Sequence, residues 1–150
     1  MNDVFRRFST IRWWRWFWLP LSYTLLCVPL FWQTFASWTS ALATRCVERC
    51  DSGWQNVWML WWVAQQVSHG QSPFFTDQIF YPGGAALFWQ TVMAANGVLM
   101  TPVTVLFGPI TAFNTLILAT FVVSGWSMAL LAEAVTRHRW GAWLAGVLYT

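Results

Sequence analysis

The sequence predicts an all-α integral membrane protein, and three features of its composition lead to that fold class. Hydrophobic residues make up 57% of the chain and charged residues only 9%, whereas a soluble domain carries roughly 25% charged residues. Fourteen residues are tryptophan, which concentrates where a bilayer meets water. A surface with so little charge fits hydrocarbon better than water, so we expect the chain to lie in a membrane.

The N-terminal residues 1–15 form a basic and aromatic collar. Arg6, Arg7, Arg12 and Arg15 stand against a single acidic residue, Asp3, and tryptophans interleave with the later arginines. Such a segment can bind nucleic acid, but this one runs directly into an apolar stretch. Lipid headgroups are therefore the expected partner, and no nucleic acid is expected. Because basic residues stay on the cytoplasmic side, the N-terminus is predicted to be cytoplasmic.

The first transmembrane helix is predicted over residues 16–38. No charged residue interrupts the sequence from Trp16 to Thr44, and about 20 apolar residues suffice to cross a bilayer. Pro20 and Pro29 lie inside this helix, where neighbouring helices can satisfy the carbonyls that proline leaves free. The segment is too long and too aromatic for a cleaved secretory signal, and it lacks a clear small-residue cleavage site.

A long extracytoplasmic loop is predicted over residues 39–109, with two helices at the membrane surface. The first, over 54–69, has tryptophans at helical spacing beside several amides and should end at Gly70. The second is predicted over 85–101 and should end near Pro102. Between them, proline and glycine at residues 72–73 and 82–84 indicate turns. Four aromatic residues are expected to anchor this connection at the membrane: Phe74, Phe75, Phe80 and Tyr81.

The second transmembrane helix is predicted over residues 110–134, because its interior carries no charge. Asn114 lies near its start, and Ser124, Gly125 and Ser127 are positions at which another helix could pack closely. A basic cluster follows at 137–139 and places this end in the cytoplasm as well. A third apolar segment begins at residue 140 and reaches Thr150 after about half the length of a span. We therefore expect this chain to be the N-terminal part of a longer protein.

Asp51 is the candidate catalytic residue, because it stands where the first loop helix begins. A carboxylate at the depth of the lipid headgroups could accept a proton from a hydroxyl, or hold a divalent metal beside a phosphate. Aspartate is also a preferred helix N-cap. From spacing alone, capping is the more frequent role for such a residue.

The candidate substrate-binding residues each have a structural alternative. Arginine binds phosphate through its planar guanidinium, but Glu48 and Arg49 can equally form a solvent-exposed ion pair. Asn56 could support the candidate carboxylate or face water. His69 could act on the substrate, although a lone histidine most often marks a solvated helix end. Tyr81, the fifth candidate, is also one of the expected membrane anchors.

The three cysteines do not predict a metal site. Cys27 falls in an apolar segment and is expected to be a packing residue. Cys46 and Cys50 are four residues apart, and only one histidine lies near them in sequence, so a zinc site is not expected. A disulfide between them is possible if the loop faces an oxidising compartment.

The order of these features resembles the N-terminal third of bacterial multi-spanning glycosyltransferases of the GT-C fold. That group includes protein mannosyltransferase-like and lipid A aminoarabinose transferase-like proteins. The resemblance covers residues 15–150, and it depends on the order of loose motifs rather than on any single one. The motifs are Asp51-x4-Asn56-x-Trp58-x2-Trp61, the sequence IFYPGG at 79–84, LFGP at 106–109, AFN at 112–114 and RWGAWLAGVLY at 139–149.

The resemblance implies a multi-pass glycosyltransferase of the bacterial inner membrane, with a sugar on a polyprenyl phosphate as donor. Such an enzyme would transfer a hexosyl or pentosyl group, and the N-terminal part alone is expected to be inactive. The resemblance also implies that the first outer loop holds two juxtamembrane helices and an acidic active-site residue, which corresponds to Asp51. Some members use a divalent metal. Many members carry two adjacent acidic residues, whereas Ser52 follows Asp51 here. The resemblance therefore does not decide whether this protein uses a metal, and it does not identify the sugar or the acceptor.

The alternative is a non-enzymatic polytopic membrane protein, either a transporter fragment or a small structural subunit of a membrane complex. Transporters usually carry polar or ionisable residues inside their spans. Both predicted spans lack charges in their interiors, and the polar residues of interest lie in the loop. That distribution favours an enzyme that works at the membrane surface.

Overall fold

The computed structural model describes residues 14–43, 51–89 and 93–150, and over these ranges the protein is mostly helical. Its α-helices are α1 Trp14–Phe35, α2 Asp51–Ser68, α3 Ala94–Phe107, α4 Pro109–Thr136 and α5 Arg139–Tyr149. Two strands, β1 Phe75–Thr76 and β2 Ala85–Ala86, and a 3-10 helix, Leu87–Trp89, lie between α2 and α3. The chain forms two compact units. The loop unit is Gln33–Ile117, and the terminal unit is Met1–Trp32 with Leu118–Thr150.

Helix α4 is, among the described residues, the one helix long and apolar enough to cross a membrane, judged by length and composition. It has 28 residues, its most apolar stretch has a mean hydropathy of 1.9, and only 11% of that stretch is buried within the protein. It contains the whole of the helix predicted over 110–134. Pro109 forms its first residue, a position that suits proline because no helical partner exists for the missing N–H.

Helix α1 covers most of the first predicted span, 16–38, but it is less apolar than α4. It ends at Phe35, and a turn follows in which the backbone N–H of Ala41 donates to the carbonyl of Ser37 at 2.8 Å. The helix continues through both of its prolines. Tryptophan and hydroxyl side chains, such as those of Ser22 and Thr24, lower its hydropathy. Its crossing of a membrane therefore stays a prediction.

Helix α2 begins three residues earlier than predicted and ends as predicted. Gly70 has a φ of +66°, and its N–H donates to the carbonyl of Val67 at 3.1 Å, while that of Gln71 donates to the carbonyl of Gln66 at 2.8 Å. This pair of bonds is the Schellman motif, in which a glycine with positive φ lets the chain turn back over the last carbonyls. The end of α2 at Gly70 is thus confirmed.

The predicted helix over 85–101 is wrong in its first half, although the chain is mostly helical as expected. Residues Ala85–Ala86 pair in antiparallel register with Phe75–Thr76, and the N–H of Leu87 donates to the carbonyl of Phe74 at 2.7 Å. These bonds across a hairpin take the backbone groups that a helix would use. Helix α3 begins only at Ala94, and Pro102 lies inside it instead of ending it.

The core of the loop unit forms where α2, α3 and the start of α4 meet. Val57 and Leu60 of α2 pack with Met100 of α3 and Phe113 of α4. Gly97 of α3 lies so close to α2 that an added Cβ would come within 2.6 Å of a Val63 side-chain carbon. Burial of these apolar faces is the main favourable contribution to the packing of α2 on α3.

Asn114 connects α4 to the segment that leaves α1. Its side chain is fully buried. The Nδ2 group donates to the carbonyls of Trp38 and Ala41, each at 2.8 Å, and the Oδ1 atom accepts from the backbone N–H of Ala43 at 2.8 Å. One amide therefore satisfies three backbone groups of an irregular segment that has few partners of its own.

In the terminal unit, α5 packs against α1 and α4 through small residues. The Tyr23 hydroxyl of α1 donates to the carbonyl of Trp143 at 3.2 Å, and the Trp143 indole donates to the Ser22 hydroxyl at 3.3 Å. Gly146 is buried between Tyr23 and Gly125, and an added Cβ would lie 2.6 Å from the carbonyl oxygen of Gly125. Close packing at Gly125, which the sequence predicts, is confirmed.

We expect Asn114→Leu to lower the free energy of unfolding by at least about 3 kcal/mol, because it leaves two carbonyls and one N–H buried without partners. Asn96→Leu on the exposed part of α3 is the matched control and should change stability little, since its amide makes only a 3.8 Å contact to the sulfur of Met93. Thermal loss of helical circular dichroism in detergent measures both. Equal unfolding temperatures for the two variants would contradict the role given to Asn114.

We also expect Gly146→Val to disrupt the packing of α5. The added Cβ would overlap the Tyr23 hydroxyl and a carbonyl oxygen of α4. A backbone carbonyl cannot move aside as a flexible side chain can. Because overpacking alone costs about 1–3 kcal/mol, we expect the free energy of unfolding to fall by at least about 3 kcal/mol. Leu148→Val, at a position 88% exposed, is the control. A Gly146→Val protein as heat-stable in detergent as the control would count against this contact.

Candidate functional site

The candidate residues lie in different places on the loop unit. Residue 51 is the first residue of α2. Asn56 follows just over one turn later and is half-buried, whereas His69 follows the last residue of α2. Tyr81 lies in the hairpin that joins β1 to β2. Glu48 and Arg49 fall outside the described residues, as do Cys46 and Cys50.

Positions 51, 55, 58, 62, 65 and 69 form one stripe along α2, because they alternate between spacings of four and three residues. An open groove of about 270 Å³ lies on this stripe, roughly one to two turns after residue 51. Residues from the helix form one side of the groove, and residues from the hairpin and the 3-10 helix form the other. Its lining consists of Gln55, Trp58, Met59, Ile79 and Leu87.

The groove has a rigid base. Leu87 is 1% exposed and packs on Met59 and Trp62, which are also buried. The indole of Trp62 donates to the carbonyl of Pro73 at 3.0 Å, and its ring stacks in parallel with that of Trp58 at a centroid distance of 5.8 Å. These contacts fix the hairpin against α2 and hold the rings in place without any charged group.

The lining suits a small, partly apolar ring that also offers polar groups. Ligand sites combine apolar and aromatic walls with a few placed polar groups, and here an indole, a thioether and two aliphatic side chains surround the amide of Gln55. An amide both donates and accepts hydrogen bonds, as the hydroxyls of a sugar require. The volume lies just below the roughly 300–1,000 Å³ typical of ligand pockets, which fits one ring rather than a whole lipid-linked donor.

The structure does not bring the predicted site residues together as one set. His69 lies on the same stripe as residue 51 but about 27 Å away, since 18 residues rise about 1.5 Å each. Its Nδ1 atom is 2.7 Å from the carbonyl of Gln65, a local contact at an exposed helix end. Tyr81 is 85% exposed and does not line the groove.

Of the residues that line the groove, the sequence motifs include only Trp58 and Ile79. Gln55 is four residues after Asp51 and so shares its helix face, a signal that was available. Met59, Ile79 and Leu87 carried no such signal, because they depend on the hairpin between the two helices. Within the described ranges, no group of three histidine, cysteine, aspartate or glutamate side chains could hold a metal ion.

Comparison of the chain with protein-family models, with curated proteins and with solved structures found no match. The class of protein therefore has to be argued from the groove, the helix that carries it and the apolar surface around them.

We expect Leu87→Ala to loosen the base of the groove at a cost of about 2–5 kcal/mol, the usual range for removing a buried leucine side chain. Leu99→Ala is the control, because that side chain is 66% exposed on α3. Unfolding temperatures in detergent report the difference. If the control loses as much stability as Leu87→Ala, then Leu87 is not the buried contact that holds the hairpin.

Proposed function

We propose that the protein is a membrane glycosyltransferase of the GT-C type. In this proposal it transfers a sugar from a polyprenyl-phosphate-linked donor to an acceptor on the extracytoplasmic side of a bacterial inner membrane. The observation that carries the proposal is the groove on α2. Its indole and amide lie on the same stripe as residue 51, roughly one to two turns away. The groove would take the sugar ring, and Asp51 would act beside it.

The reaction needs few groups from the protein. An acceptor hydroxyl attacks the anomeric carbon, its proton passes to the carboxylate of Asp51, and the bond between that carbon and the phosphate oxygen breaks. Polyprenyl phosphate leaves with the electron pair of that bond. A positioned general base contributes about 10²–10⁴-fold to such a step. Arg49 is the candidate in this part of the chain for holding the phosphate.

A lipid-linked donor requires a site at the membrane surface. Helix α4 meets the length and apolarity of a membrane span, and its first residues belong to the same unit as the groove. No charged residue occurs from 78 to 132. These features support a loop unit that rests on the bilayer, where the prenyl chain can stay in hydrocarbon while the sugar reaches the groove.

A transporter is the main rival, and Asn114 argues against it. A transport path across α4 would need polar groups that face the path. The buried amide of Asn114 instead uses its Nδ2 and Oδ1 atoms on three backbone groups of residues 38–43. A purely structural membrane subunit is distinguished from the enzyme by the experiment on Asp51.

We expect Asp51→Asn to reduce sugar transfer at least about 100-fold in membranes that contain the full-length protein, because the amide cannot accept the proton. Asparagine caps helices about as well as aspartate, so the variant separates catalysis from capping. Transfer is measured with a radiolabelled polyprenyl-phosphate sugar, and resistance to carbonate extraction verifies insertion.

Asp77→Asn is the matched control, since it removes an exposed carboxylate from the hairpin side of the same unit. Transfer at the unchanged rate in Asp51→Asn would remove this residue from the mechanism. Absence of transfer by the unaltered full-length protein, with every donor tried, would leave the structural-subunit alternative as the better account.

A further inference from the structure

The hairpin between β1 and β2 ends in a group of exposed aromatic side chains. Phe80 and Tyr81 are 80% and 85% exposed, and Phe88 and Trp89 of the 3-10 helix are 70% and 96% exposed. We call these four residues the aromatic tip. Large aromatic rings clustered on a water-exposed surface usually mark a site that another molecule covers. We therefore expect the aromatic tip to contact a partner or a membrane.

The hairpin holds the aromatic tip in its exposed position, because hydrogen bonds and ring stacking fix the conformation of the hairpin. The N–H of Gly84 donates to the carbonyl of Phe80 at 3.1 Å. The rings of Phe74 and Phe88 stack nearly in parallel, with centroids 4.8 Å apart. Gly84 has a φ of +68° and passes close to the carbonyl of Thr76, where any Cβ would clash. The tip therefore cannot simply fold back into the core.

The outward face of α3 extends this uncovered apolar surface. Helix α3 packs on α2 through Gly97 and Met100, which are buried. Its other side carries apolar side chains that are 51–73% exposed, namely Val98, Leu99, Val105 and Leu106. The buried and exposed faces are both uncharged, which differs from a helix that faces water on one side.

Two observations identify what covers these surfaces. First, no charged residue occurs anywhere from 78 to 132, and this range includes the tip, α3 and most of α4. A protein partner would usually be met by a polar rim around the apolar centre. Second, only Gly108 separates α3 from α4, the helix that is apolar and long enough to cross a bilayer. The end of α3 is therefore tied to the level at which α4 would enter the membrane.

We propose that the aromatic tip and the outward face of α3 dock on the lipid bilayer, at the boundary between headgroups and acyl chains. Tryptophan and tyrosine favour this depth because their rings are apolar and their N–H or O–H group stays wet. Both surfaces pack on the same helix, since Met59 and Trp62 of α2 contact the hairpin and Val63 of α2 contacts α3. Together they set the height of the groove above the membrane.

This inference depends on the membrane location in the proposed function, but it does not depend on sugar transfer. It also assigns Tyr81 a role different from the predicted substrate contact. The side chain would meet lipid, and its removal would change how the loop unit sits on the bilayer.

The test uses one environment-sensitive fluorophore at a time, attached to Tyr81→Cys or Trp89→Cys in the full chain. Cys46 and Cys50 are replaced by serine, while Cys27 is kept because it is buried. The control is Gln71→Cys, an exposed position in the polar segment after α2. Each protein is reconstituted in phosphatidylcholine vesicles that carry a nitroxide either on the headgroup or in the middle of the acyl chain.

We expect headgroup nitroxides to quench the labels at 81 and 89 at least about twofold more strongly than the label at 71, because the first two labels would lie at the membrane interface. Aqueous iodide should show the reverse order. Equal quenching at all three positions would overturn the proposal. Protection from iodide without quenching by either nitroxide would also overturn it, because a protein partner or a second copy of the chain would then cover the tip.

The outcome is separable from that of the proposed function. Carbonate extraction of the same vesicles reports whether the chain is embedded at all. Failure of the tip to meet lipid in an embedded protein would leave the enzymatic proposal standing, whereas loss of transfer in Asp51→Asn says nothing about the labels at 81 and 89.

Discussion

The amide of Asn114 is the interaction on which the loop unit depends. The chain leaves α1 through an irregular segment whose carbonyls and N–H groups need partners, and a buried unsatisfied group costs about 1–3 kcal/mol. One side chain supplies three of those partners from the first turns of α4. It thereby fixes residues 38–43 against α4, and Leu42 of this segment packs on the core that α2, α3 and α4 form.

Helix α2 packs against two other elements of the loop unit, α3 and the hairpin. One side meets α3 so closely that glycine is required at residue 97. The other meets the hairpin through Met59, Trp62 and Leu87. The groove opens beside the hairpin contact, on the first half of the stripe that begins at residue 51. Its position thus follows from the packing of the hairpin on α2.

The features that could be read from the sequence are those that depend on neighbours along the chain. The uncharged stretch of α4 and the glycine that ends α2 are of this kind, and both are confirmed. The hairpin was missed because its strands are two residues long and depend on pairing across a turn. The partners of Asn114 were missed because they lie about seventy residues away. The groove needs the hairpin, so its wall on that side could not be predicted.

The uncharged stretch from 78 to 132 also bears on how the protein is made and handled. Extended apolar surfaces that meet water are sites of aggregation, and here they belong to a hairpin and a helix that have no charged residue to act as a gatekeeper. A version of the loop unit cut free from α4 would carry the same surfaces into the aqueous phase. In the proposed membrane location, lipid would have to cover these surfaces as the chain is made, and detergent would have to replace it during purification.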